Sequence, residues 1–86
     1  MDINQLSTIV KKKILEHRII KSVEVEDKSF LHKDHKSNEK GKFHIKLKIE
    51  SDELNKKNKI ESNKFIFKIL NEEMKLYIHS LQILFI

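Results

Sequence analysis

The chain has 86 residues, 38% hydrophobic and 36% charged, with a net charge of +5, no Cys and no Pro. A chain of this length makes one domain, residues 1–86, and buries only about 60–65% of its unfolded surface, so it has room for one core but hardly for a deep substrate cleft. The lack of Cys excludes disulfides and thiolate metal sites within the chain, and no run of roughly 18 apolar residues is present to span a membrane.

The first predicted element is an amphipathic helix. Ile3, Leu6, Val10 and Ile14 recur at spacings of three and four, while Lys11, Lys12, Lys13 and Glu16 fall largely on other faces. It is expected to end near His17-Arg18. Ser22 to Asp27 reads as a strand, with Val23 and Val25 alternating with Ser22, Glu24 and Glu26. Lys28 to Lys42 is polar and holds His32, His35 and the sole glycine, Gly41. Loops longer than about 12–15 residues in compact domains are usually functional or disordered. In the next strand Phe43, Ile45, Leu47 and Ile49 point one way, and His44, Lys46, Lys48 and Glu50 the other, giving one buried and one wet face. Ser51 to Leu54 reads as a helical turn N-capped by the Ser51 hydroxyl, and Asn55 to Asn58 as a turn. Lys59 to Lys75 is the main helix, with Ile66, Ile69, Leu70 and Met74 as its core stripe and Phe65 and Phe67 beside it. Tyr77 to Ile86 is the last strand.

The element order is α-β-β-α-α-β, an α/β (α+β) class in a single small domain. The first two strands can pair antiparallel. The second and third are joined through a helix, so a right-handed parallel crossover is expected. The result is a three-stranded mixed sheet with helices packed on one face. The order of the strands stays open at this point.

Of the 18 basic residues, Arg18 is the only arginine. Lysine is a hydrated point charge without the bidentate fork used for base reading, so the charge permits attraction to acidic partners without favouring sequence-specific DNA recognition. Abundant Lys, Asn and Ile are also what an A- and T-rich coding sequence yields. A single Gly rules out phosphate loops and the GxxG clamp of KH domains. No spacing suggests a converging Ser/His/Asp set. Glu72 and Glu73 are adjacent on a helix, diverge by about 100°, and read as a solvated face. No enzyme active site is expected.

The five histidines remain. His17 reads as a polar surface residue or helix-dipole partner, and His44 as an exposed strand position. His32 and His35 have a loop i, i+3 spacing that by itself fits unliganded histidines better than a metal site. His79, between Ile78 and Ser80, reads on residue type alone as a satisfied, half-buried histidine.

From Ile20 onward, however, the chain resembles the BolA-like family. The pieces are Val23-Glu24-Val25-Glu26-Asp27-Lys28-Ser29, then His32, then His44-Ile45-Lys46-Leu47-Lys48-Ile49-Glu50-Ser51, Leu70-Asn71-Glu72-Glu73-Met74 and Ile78-His79-Ser80-Leu81. The order and spacing agree with the family, apart from a longer loop before His44. The resemblance implies a fold similar to a class II KH domain. It also implies a monothiol glutaredoxin as partner and a [2Fe–2S] cluster held between the two chains. One iron takes the glutaredoxin Cys and a glutathione thiolate; the other takes two ligands from the BolA side. Carried over, these are His79 and His32, with His35 the alternative because the longer loop blurs the register. With no Cys, the chain resembles the His-loop type, and the isolated chain, expected as a monomer, would hold no cluster. Two imidazoles on one iron resemble Rieske ligation and raise the reduction potential.

Departures are present. Where many members carry Arg-His-Arg, this sequence has Ser62-Asn63-Lys64; a Gly common in the preceding turn is Lys56; and many members continue beyond the position of Ile86. The expected function is an adaptor in iron–sulfur cluster trafficking and iron regulation. The alternative is a KH-like nucleic-acid-binding transcriptional regulator, using Lys33, Lys36 and Lys64. The resemblance and the lack of a charged-then-apolar start imply a soluble intracellular protein, in the cytoplasm or an organelle such as the mitochondrion.

Overall fold

A computed structural model describes residues 2–29 and 42–86. The chain forms α1 (Ile3–Leu15), β1 (Ser22–Asp27), β2 (Phe43–Glu50), α2 (Asp52–Lys56), α3 (Lys59–Ile69), α4 (Asn71–Leu76) and β3 (Ile78–Phe85). The α-β-β-α-α-β order expected from periodicity is present, with the main helix in two pieces.

Helix α1 begins with a capping box. The Asp2 carboxylate accepts from the Gln5 backbone N–H at 2.8 Å, and the Gln5 side chain accepts from the Asp2 N–H at 3.0 Å. Two otherwise orphaned amides are thereby satisfied. Leu6, Val10 and Ile14 are fully buried along one face. Two more helices are capped by side chains: Ser51 Oγ, as expected, accepts from the Leu54 N–H at 3.2 Å, and Asn58 Oδ1, in the segment read as a turn, accepts from the Glu61 N–H at 2.8 Å. Asn55 and Lys56 belong to α2 rather than to a turn, and Lys57 and Asn58 make the link to α3.

The predicted continuous helix from Lys59 to Lys75 is broken at Leu70, whose φ of −98° and ψ of 18° leave the helical region. Leu70 is fully buried and has no capping side chain. Its N–H still donates to the Ile66 carbonyl, and the Met74 N–H to its own carbonyl, so the chain bends without losing those two bonds.

The sheet has the order β1-β2-β3. Strand β1 runs antiparallel to β2, with Val25 opposite Leu47, and β3 runs parallel to β2, with Leu47 opposite Ile83. Ile45, Leu47 and Ile49 on the central strand are buried with Val23 under Leu6, Val10, Ile14, Leu54, Ile66 and Leu70 of the helices. On the outer face Glu26 sits between Lys48 at 3.2 Å and Lys28 at 3.3 Å. Those ammonium groups, Lys48 first, hold its carboxyl below the ordinary value.

Ser62 is 1% exposed, and its hydroxyl donates to the Leu54 carbonyl at 2.7 Å, tying α3 to the end of α2. Ser62→Ala leaves that carbonyl with only the longer bond from the Lys57 N–H. The expected cost is about 1 kcal/mol, read as a lower urea midpoint at unchanged slope.

Glu72 and Glu73 do not share a solvated face. Glu72 is exposed, but Glu73 is 4% exposed and accepts a hydrogen bond from the Lys13 ammonium of α1 at 2.5 Å. Its position explains this: Glu73 lies on α4 three residues after the fully buried Leu70, on the face turned to the core. The hydrogen bond from Lys13 to Glu73, with the nearby carboxylate charges of Glu73 and Glu72, outweighs desolvation and raises the Lys13 pKa above 10.5. Because the folded-state value is the higher one, the stability from this pair is complete below pH 10.5 and is lost as pH rises through the raised value. Lys13→Met is expected to remove that alkaline slope from the pH dependence of the urea midpoint.

Candidate functional site

Strands β2 and β3 start side by side, and their first residues build the site. The Phe43 N–H donates to the Tyr77 carbonyl at 2.8 Å, and Phe43 is registered with Ile78, which is 1% exposed and anchors the strand. The register then shifts: His44 is opposite Ser80, so His79 is the extra residue in a bulge-like step. Such steps re-aim a side chain. His79 is exposed, which corrects its reading as a half-buried histidine. An exposed imidazole is one that an incoming partner can reach.

His44 also differs from its expected place. Strand alternation puts it with Lys46 and Lys48, yet it is 5% exposed. Its Nδ1 lies 2.6 Å from Ser80 Oγ, and its ring centroid is 4.7 Å from that of His79 at an interplanar angle of 53°. Its N–H donates to Ser29 Oγ at 3.1 Å and its carbonyl accepts from the Lys28 N–H at 2.7 Å. Ser29 in turn is held by its own N–H donating to the Asp27 carboxylate at 2.9 Å. The residue leading out of β1, the start of β2 and the start of β3 therefore meet at His44. No single-strand pattern signals this, because it depends on which residues of β2 and β3 are paired.

His32, His35, Lys33 and Lys36 lie outside the described residues. Lys64 is exposed on α3, not at the start of β2 and β3. His17 is exposed and meets the Phe65 ring edge-on at 5.3 Å, in keeping with a surface role. Two depressions among the described residues lie away from His44 and His79, one beside Asn58, Ser62 and Phe85 and one beside His17 and Phe65. Among the described residues no three His, Asp or Glu side chains gather to hold a metal ion, and no helix is long and apolar enough to cross a membrane.

A family model described as BolA-like protein matches residues 12–85. The structure is similar to the BolA domain of SufE1 from Arabidopsis thaliana, with a TM-score of 0.80 and 25% identity over 98% of this chain and 93% of that one. It is also similar in fold to BolA1 from Arabidopsis thaliana, with a TM-score of 0.73 and 22% identity over 92% of this chain and 87% of that one. No curated protein matches the chain.

Proposed function

The chain belongs to the BolA-like family, and from that premise we propose that it is a non-enzymatic adaptor that binds a monothiol glutaredoxin and co-ligates a bridging [2Fe–2S] cluster. The observation that carries the reading is His79, an exposed imidazole set on a bulge-like step at the start of β3. The donor set fits a shared cluster and not a resident one. The chain has no thiolate, and an exposed histidine with no gathered companions among the described residues needs ligands from elsewhere.

His79 would hold the iron together with His32 or His35. His32 lies three residues beyond Ser29, whose hydroxyl is bonded to His44 beside His79. Imidazole ligands would supply a more positive reduction potential than an all-thiolate set. The place of such a complex is in iron–sulfur cluster trafficking and iron regulation.

The test is to mix the purified chain with a cluster-loaded monothiol glutaredoxin and glutathione. A changed visible CD spectrum, together with a heterodimer in size-exclusion chromatography, is expected. A spectrum equal to that of the glutaredoxin alone contradicts the reading.

A further inference from the structure

We propose that His44 is a positioning residue that orients the His79 imidazole; the proposal rests on the reading of His79 as a cluster ligand. An exposed histidine at the start of a strand has two side-chain torsions free to rotate. Fixing them on coordination costs side-chain entropy, on top of the loss that association always carries. The neighbouring ring removes part of that freedom in advance. His44 is 5% exposed, is bonded through its own backbone to Lys28 and Ser29, and lies 4.7 Å from the His79 ring centroid. It is a fixed surface against which an exposed ring can rest.

The second contact acts on the backbone. The 2.6 Å contact between His44 Nδ1 and Ser80 Oγ engages the residue that directly follows His79. The register step that makes His79 the extra residue ends at this same His44–Ser80 pair. His44 therefore touches the His79 ring and pins the strand one residue beyond it. It also binds Ser29, the residue from which the chain leads toward His32.

This role needs a flat ring at position 44, and the conservative variant tests it. In the isotope-labelled chain alone, three-bond couplings about the first side-chain torsion of His79 should report one dominant rotamer. His44→Ala should give averaged couplings, and His44→Phe, which keeps a ring, should restore them. In complex with cluster-loaded glutaredoxin, His44→Ala should lose the cluster roughly tenfold faster, at the lower end of outer-shell effects, and His44→Phe should stay near the wild-type rate. Should His44→Ala fail to fold, His44→Gln removes the ring while keeping a polar group toward Ser80, and it must show the same loss of rotamer order.

Couplings already averaged in the wild type, or unchanged in His44→Ala, overturn the proposal. So does a cluster lost from His44→Phe as fast as from His44→Ala while the His79 rotamer is retained, since that pattern means direct ligation by His44. If the wild type gathers no cluster at all, the ligand reading of His79 fails, while the couplings still report whether His44 orients the ring.

Discussion

His79→Ala is expected to abolish the visible CD signature of the complex with cluster-loaded glutaredoxin while leaving the domain folded. The loss should exceed the roughly 10–100-fold that outer-shell substitutions cost, because a ligand is removed and not merely its support. The effect on folding should be small. His79 is exposed, and its ring contact with His44 is worth about 1 kcal/mol. His17→Ala is the matched control. His17 is also an exposed histidine in a ring contact, with Phe65, so any general effect of removing a surface imidazole appears in both variants. Equal cluster retention in the two variants would sink the ligand assignment.

Leu47→Ala carries the largest expected effect on stability. Leu47 is fully buried at the middle of the central strand, paired with Val25 on one side and Ile83 on the other. Flanking strands and overlying helices leave little scope for the site to collapse around the missing atoms. Truncating a buried leucine costs about 2–5 kcal/mol, against a total stability of about 4–13 kcal/mol for a domain of this length. The variant should therefore have a much lower urea midpoint, with a partly unfolded population in water at the upper end of that cost. Leu84→Ala, on the same sheet but 43% exposed, should stay within about 0.5 kcal/mol of the wild type. Similar midpoints for the two variants would mean that the core does not lie where the sheet places it.

Much of the fold was legible because burial follows simple periods. Val23, Ile45, Leu47 and Ile49 alternate as strands require, and Leu6, Val10 and Ile14 keep helical spacing. The bounds of β1 agree with the alternation from Ser22 to Asp27. The mixed pairing also followed, because the sequence between β1 and β2 reads as a loop, which permits an antiparallel pair, whereas β2 and β3 are joined through helices, which favours a parallel crossover. The break at Leu70 was not legible, since no Gly, Pro or capping residue marks it. Glu73 was misplaced because adjacent glutamates suggest a wet face, although its spacing of three from Leu70 puts it on the core side of α4.

The site was only half visible, for a related reason. His79 stands out through its resemblance to a known pattern. Its exposure, however, comes with a register step between β2 and β3, and register across a parallel pair is set by contacts distant in sequence. The same step brings His44 and Ser80 together. Read along β2 alone, His44 is one more polar residue between Phe43 and Ile45. The Ser62-Asn63-Lys64 departure also takes on a concrete meaning. Ser62 is buried and bonded to Leu54, whereas Lys64 is exposed on α3, so of these two only Lys64 offers a charge to a partner.

The most direct test is an NMR titration of the isotope-labelled chain with monothiol glutaredoxin and glutathione, with and without the [2Fe–2S] cluster. Line broadening centred on His79, His44 and the segment around Ser29 and His32, present only with the cluster, is the predicted result. Shifts that do not depend on the cluster would contradict shared ligation and leave a protein–protein adaptor. No response to the glutaredoxin at all would contradict the adaptor reading as well and turn attention to nucleic acid.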